Sequence, residues 1–215
     1  MNLDAGEHED EPEELWALCD IVCVACGGHA GDDRSMARLA AFCASRARPR
    51  LGAHPSYPDR EGFGRRTIAI APAELEASVT EQCLRLAAIA RDHGLRVEWV
   101  KPHGALYHDA AADDVLADAV LAGARAALGD IIVIGPPRGA LARAPRYLRE
   151  GFADRRTRPD GTLVPRTEPG ALIEDPAAAA ARARMLVREV DTICVHADTP
   201  NALAIAGAVR EAIDG

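Results

Sequence analysis

Four histidines in this chain share one setting: each stands at or just past the end of a short apolar run. His29 follows residues 21–26 through Gly27-Gly28, and His54 closes Leu51-Gly52-Ala53. His103 follows 97–100 through Lys101-Pro102, and His196 follows 193–195. The chain holds only seven histidines. An imidazole can carry a proton near neutral pH or offer a lone pair to a metal. Any one of them reads equally well as a structural residue. Four at equivalent strand ends are brought to one mouth if the strands run parallel. His8, His93 and His108 lack that placement, and His93 reads as a complement to a helix dipole.

Carboxylates occupy matching positions: Asp4, Asp32, Asp59, Asp154 and Asp198. With neutral histidines they can hold a divalent metal, or serve as a general base and the group that orients it. No H-E-x-x-H decides between these. Lys101 is costly to bury without an anion, so it reads as a clamp for substrate or phosphate, or as an ion pair to Asp154 or Asp4. Arg60, Arg65 and Arg66 surround Gly62-Phe63-Gly64, a backbone-plus-guanidinium arrangement suited to carboxylate or phosphate. No G-x-x-x-x-G-K-[ST] is present, so a nucleotide site here is not a P-loop. Cys23-Val-Ala-Cys26 lies in a strand-like run, where positions three apart face opposite ways and cannot share a metal. Cys26, beside His29, keeps a supporting role open. Tyr57 and Tyr107 read as wall residues.

The elements that must position these groups alternate strand and helix from end to end. Residues 1–7 read as the tail of a first strand followed by polar residues, and the acidic run to Glu14 as a solvated loop or helix start. A short helix over 13–19 turns Leu15, Trp16 and Leu18 inward. Strands are expected at 21–26, 50–53, 97–100, 131–134, 151–153 and 193–195. A helix capped by Asp32 or Asp33 buries Met36, Leu39, Ala40 and Cys43. Ala71-Pro72 opens another, with Leu75, Val79, Cys83, Leu86 and Ala90 on its buried stripe and Gly94 as its stop. Helices are also expected over 111–128, weakly over 139–150, and after Asp175-Pro176 and Thr199-Pro200. Buried strands alternating with helices mean a parallel sheet. Polar residues after nearly every strand favour a barrel over an open sheet, and 215 residues favour one that is shorter or more irregular than the eightfold form.

Length and composition, 48% hydrophobic and 27% charged, suit one globular domain over 1–215. A net charge of −8 argues against nucleic acid as a partner. No apolar run is long enough to span a membrane, and the acidic start is the opposite of a signal peptide, so a cytoplasmic location is expected. The scattered cysteines read as small core residues.

Several longer runs occur in order over nearly the whole chain: Asn-x-Asp-x-Gly-Glu (2–7), Ala-Cys-Gly-x-His-Ala-Gly-Asp (25–32), Gly-Ala-His-Pro-Ser-Tyr-Pro-Asp-Arg-x-x-Phe-Gly-Arg (52–65), Val-Lys-Pro-His-Gly-x-Leu-Tyr (100–107), Phe-Ala-Asp-Arg (152–155), Asp-Gly-Thr-Leu-Val-Pro-Arg (160–166) and Val-His-x-Asp-Thr-Pro (195–200). Together they resemble the LamB/YcsF family. The resemblance implies an irregular (β/α) TIM-like barrel, seven-stranded or otherwise incomplete, akin to polysaccharide-deacetylase-like folds. It further implies a 5-oxoprolinase: ATP-dependent opening of 5-oxoproline to L-glutamate, this chain acting as the A component beside separate subunits B and C. ATP is the implied cofactor, with Mg2+ accompanying it.

In that chemistry Lys101 and Arg65 meet the anions, with Arg60, Arg155, Asp4, Asp32 and Asp198 also among the substrate- and phosphate-binding candidates. His54 or His103, oriented by Asp59 or Asp154, serves as base, and His29 or His196 as acid. Two other readings stay open. One is a metal-dependent amide hydrolase or deacetylase on the same barrel, with Asp4, His54 and His103 as ligands. The other is a non-catalytic component that only binds a small acid.

Overall fold

The computed structural model describes residues 1–158, 162–166 and 168–215. Its seven strands are β1 (Asn2–Ala5), β2 (Ile21–Ala25), β3 (Arg50–His54), β4 (Trp99–Val100), β5 (Ile132–Gly135), β6 (Tyr147–Phe152) and β7 (Thr192–His196). They close in sequence order into a barrel in which every neighbouring pair is parallel. Closure is made by β1 against β7, with Asp4 opposite His196. The helices are α1 (Glu13–Ala17), α2 (Asp33–Ala44), α3 (Pro72–Asp92), α4 (Gly104–Ala112), α5 (Asp114–Leu128), α6 (Pro176–Leu186) and α7 (Ala202–Asp214).

Alternation along each strand sorts the side chains. Leu3, Val22, Val24, Ile193 and Val195 join the main core shared with the helices. Ile21, Cys23 and Ile134, with Trp99 and Leu148, plug the N-terminal end of the barrel interior. Cys23 and Cys26 fall in different clusters, as positions three apart on a strand must. Toward the C-terminal end the inward positions turn polar, and the site is built there.

The barrel, the α2 cap at Asp32 and the α3 stripe match the sequence expectations. Five details differ. The helix expected over 111–128 is two helices, because Asp113 turns extended and its carboxylate caps Val115 and Leu116. The weak helix over 139–150 is a 3-10 turn at Ala140–Arg143 followed by β6, whose inward set Leu148, Glu150, Phe152 hides the alternation behind a buried acid. The fourth strand is only Trp99–Val100. Thr199 does not cap α7, which begins at Ala202 after Asn201; its hydroxyl donates to Asp154 instead.

The acidic run, finally, is not all solvated. Glu11 is 4% exposed and accepts from the backbone N–H of Gly6, Glu7 and His8 and from the Trp16 indole. One carboxylate thus gathers the loop that follows β1. Glu11→Ala leaves those donors unpaired and is expected to cost about 3 kcal/mol in urea unfolding. A loss under about 0.5 kcal/mol would contradict this role.

Candidate active site

A cavity of about 650 Å³ opens at the C-terminal ends of the strands, the end where parallel barrels carry their sites. Its floor is a buried charge cluster. Lys101 Nζ lies 2.8 Å from Asp4 Oδ1 and 2.9 Å from Glu150 Oε1, and donates to Cys194 Sγ at 3.2 Å. Burial alone would strip its proton, but Asp4, Cys194 and Glu150 hold the ammonium pKa well above its ordinary value. Burial likewise works against the Asp4 carboxylate, yet the facing His54 and the charged Lys101 keep its pKa below the usual range. Of the two expectations for Lys101, the ion pair to Asp4 is what forms; Asp154 is not its partner, and Glu150 takes that place.

Above the floor, His29, His54 and His103 close around Glu7. Glu7 Oε1 is 2.9 Å from His29 Nε2, 3.0 Å from His103 Nδ1 and 3.7 Å from His54 Nε2. His29 and His103 stack in parallel with ring centroids 3.6 Å apart. Burial pushes the His54 imidazole down to about 3, with Asp4 opposing, and His29 down to about 4, with the Glu7 bond opposing. Burial would raise Glu7, but the neighbouring His103 and His29 rings pull it well below the ordinary carboxylate value.

Local backbone holds these rings. His54 ends β3, and its Nδ1 sits 2.7 Å from the Lys101 carbonyl. His103 stands just before α4, with Nε2 2.9 Å from the carbonyl of Phe63. Phe63 takes a left-handed φ of 54°, rare for a bulky residue, to aim that carbonyl. Gly64, beside it, cannot be larger: a Cβ there would come within 2.9 Å of both His103 and His29.

His196 stands apart, across Asp4, with Nε2 3.9 Å from Asp4 Oδ2. Its Nδ1 is 2.8 Å from Asp154 Oδ1, while its backbone N–H and the Thr199 hydroxyl both donate to Asp154 Oδ2. Burial would raise the Asp154 pKa, but His196 and Thr199 bring it below the ordinary value. Asp154 therefore orients His196, and not His54 or His103. Asp59 orients neither: it binds Arg66 and the Gly62 N–H and ties its own loop together.

The arginines form one wall. Asp198 lies between Arg65, at 3.0 Å, and Arg166, at 2.8 Å. Arg155 is 6% exposed, donates from Nη2 to the Val164 carbonyl, and its buried Nε–H has no partner among the described residues. Burial, aided by the nearby Arg166 charge, lowers its pKa to about 10. Arg60 and Asp32 belong elsewhere. Arg60 donates to the carbonyls of Gly27 and Gly31, Asp32 is exposed and capping α2, and both line a neighbouring cleft on the other side of Glu7 rather than this cavity. They are corrections to the binding set.

Sequence reasoning misses Glu7, Glu150 and Arg166 as site residues, although Glu7 and Arg166 lie inside the motifs given above. Tyr107 and His108 also line the cavity, His108 from within α4 and not from a strand end. Of the 160–166 motif, Asp160 and Gly161 lie outside the described residues. For a metal, the ligand atoms of Glu7, His29, His54 and His103 lie within 4.8 Å of one another; Asp4, expected in that role, is committed to Lys101. A second group, Asp4, Cys194 and His196, has the same spread but contains that committed carboxylate.

The whole chain, 1–215, matches the model of the LamB/YcsF family. The A component of 5-oxoprolinase from Methylococcus capsulatus is 44% identical over 98% of this chain and 90% of its own length. Its counterpart from Chloroflexus aggregans is 40% identical over 100% and 94%. The crystal structure of a lactam utilization protein from Thermus thermophilus superposes with a TM-score of 0.89 at 34% identity, covering 100% of this chain and 95% of that one.

The Asp154 bonds carry a pH signature. A folded pKa below the unfolded 3.8 adds stability that is complete above that value and is lost as pH falls through it toward the folded one. Asp154→Asn, which gives up one of two acceptor oxygens and the charge, is expected to cost about 2 kcal/mol at pH 7. In chemical unfolding across pH, the gap to wild type should close in acid. A gap that is constant from neutral pH to below 3.8 would contradict the assignment.

Proposed function

The chain belongs to the LamB/YcsF family, and on that premise we propose that it is the A component of a 5-oxoprolinase, opening 5-oxoproline to L-glutamate at the cost of ATP, together with partner subunits B and C. The observation that carries this reading is the buried Arg155, whose Nε–H lacks a partner among the described residues, on the wall of the cavity that also holds the Asp154–His196 pair. A small cyclic acid needs both: a guanidinium for its carboxylate and a base near its ring carbonyl. Six free buried cysteines suit a reducing compartment, which supports a cytoplasmic location.

A five-membered lactam is a stable amide and a poor electrophile. Transfer of the ATP γ-phosphoryl to the lactam oxygen makes the ring carbon attackable. Water then adds to that carbon, and the proton it loses goes to His196 Nε2, which Asp154 aims by binding Nδ1. The C–N bond breaks, the departing nitrogen takes the proton back from His196, and an acyl phosphate remains for a second water to hydrolyse. Arg155 and Arg166 hold the carboxylate, and Arg65 helps set the charge of the wall. Lys101 acts by fixing Asp4, not by touching substrate.

The test is the assembled complex, supplied with 5-oxoproline and ATP and assayed for glutamate and ADP. His196→Gln is expected to lower kcat about 10³-fold with little change in KM. Arg155→Met is expected to raise KM for 5-oxoproline about 30-fold with a smaller change in kcat. Near-normal turnover by both variants would overturn the assignment. Lactam hydrolysis by the isolated chain without ATP would replace it with the metal-dependent hydrolase reading, which the Glu7–histidine group favours.

A further inference from the structure

His54 and His103 face each other through His54 Nε2 and His103 Nδ1, 2.9 Å apart. The other nitrogen of each ring is held on a carbonyl: His54 Nδ1 on that of Lys101 at 2.7 Å, His103 Nε2 on that of Phe63 at 2.9 Å. A carbonyl oxygen only accepts, so each ring must carry its N–H on that side. In the neutral rings the facing nitrogens are then two lone pairs at hydrogen-bond distance with no hydrogen between them. Glu7 Oε1, a third acceptor, is 3.0 Å from His103 Nδ1. Such a contact repels unless a cation stands among the atoms.

One added proton on His103 Nδ1 would have to be divided between His54 Nε2 and Glu7 Oε1. A single divalent ion relieves all of these contacts, while His29, whose ring lies parallel to that of His103 and so cannot aim a lone pair at the same ion, steadies Glu7 from the side through Nε2 at 2.9 Å. Four ligands at about 2.0–2.1 Å from a tetrahedral ion stand about 3.3 Å from one another. The three separations among His54 Nε2, His103 Nδ1 and Glu7 Oε1, 2.9, 3.0 and 3.7 Å, bracket that value.

We propose that Glu7, His54 and His103 form a binding site for one divalent transition metal, with His54 Nε2, His103 Nδ1 and Glu7 Oε1 as ligands and the fourth position open. Two imidazoles and a carboxylate suit zinc and its neighbours better than magnesium or calcium, which take oxygen ligands. The carbonyls of Lys101 and Phe63 set the ring tautomers, as partners of metal-bound histidines do. Glu7, His54 and His103 line the cavity, so the ion has an open side toward it. An ion bound there would supply a Lewis acid to an oxygen entering the cavity. The site stands whether or not 5-oxoproline is the substrate.

The experiment uses the full chain, stripped with EDTA, desalted and titrated with Zn2+ or Co2+, with bound metal measured by mass spectrometry and Tm by calorimetry. About one ion per chain and a Tm rise are expected, with cobalt bands of nitrogen and oxygen ligation. His54→Ala and the gentler His103→Gln should weaken binding more than about 100-fold, while His93→Ala, far from the site, should not. Circular dichroism identifies the folded variants, and only those are compared. A folded wild-type chain that takes up no stoichiometric metal, its His54–His103 contact showing a shared proton in 15N spectra, would overturn the proposal. So would a folded His103→Gln chain that binds as tightly as wild type.

Discussion

One ammonium group, that of Lys101 just past β4, reaches across the barrel to the adjoining strands β6, β7 and β1. It is 2% exposed and meets Asp4 from β1, Glu150 from β6 and Cys194 from β7. An unpaired charge in that position would cost several kcal/mol, and two carboxylates without it would repel. Each of the three groups is tolerable only because the strands that carry the others are in register. The pin is therefore a constraint on closure as much as a source of stability.

The same residue governs the layer above it. The Lys101 carbonyl fixes the tautomer of His54, its N–H bonds to the Ala53 carbonyl, and the His103 N–H bonds to that of Pro55. Pro102 disfavours a helical backbone at Lys101, so the side chain can reach down into the barrel while the carbonyl serves the histidines. Side chain and main chain of one residue thus link the buried charges to the ring of imidazoles. Across Asp4, the Asp154–His196 pair and the arginine wall supply a base and a cationic surface on the same cavity. Asp154 and Arg155 are consecutive, yet the carboxylate is taken by His196 and Thr199 while the guanidinium turns to the Val164 carbonyl, so the two do not simply neutralise one another.

Much of this is legible in the sequence. The strand-helix alternation reads as a barrel, and the four histidines at strand ends do gather at one mouth. His196 is separated from the other three, because Asp4 intervenes and Asp154 claims its Nδ1. What the sequence hides is mainly acidic. Glu7 and Glu11 sit in a run that looks solvated, and Glu150 follows an arginine in a stretch that reads as a weak helix. A buried carboxylate carries no local mark, because its partners come from distant parts of the chain. Its signature is the partner set, and that exists only after folding. Asp59, Arg60 and Asp32 err the other way: their neighbourhood looks catalytic, yet Asp59 ties its own loop, Asp32 caps α2, and Arg60 braces the loop after β2.

Where 5-oxoproline lies in the folded chain is the central point, and a crystal structure of the protein soaked with it tests this directly. The carboxylate is expected against Arg155 and Arg166, with the lactam carbonyl carbon turned toward His196 Nε2. A ligand bound outside this cavity, or held in it with its carboxylate turned away from both arginines, would contradict the assignment of this cavity as the site of ring opening.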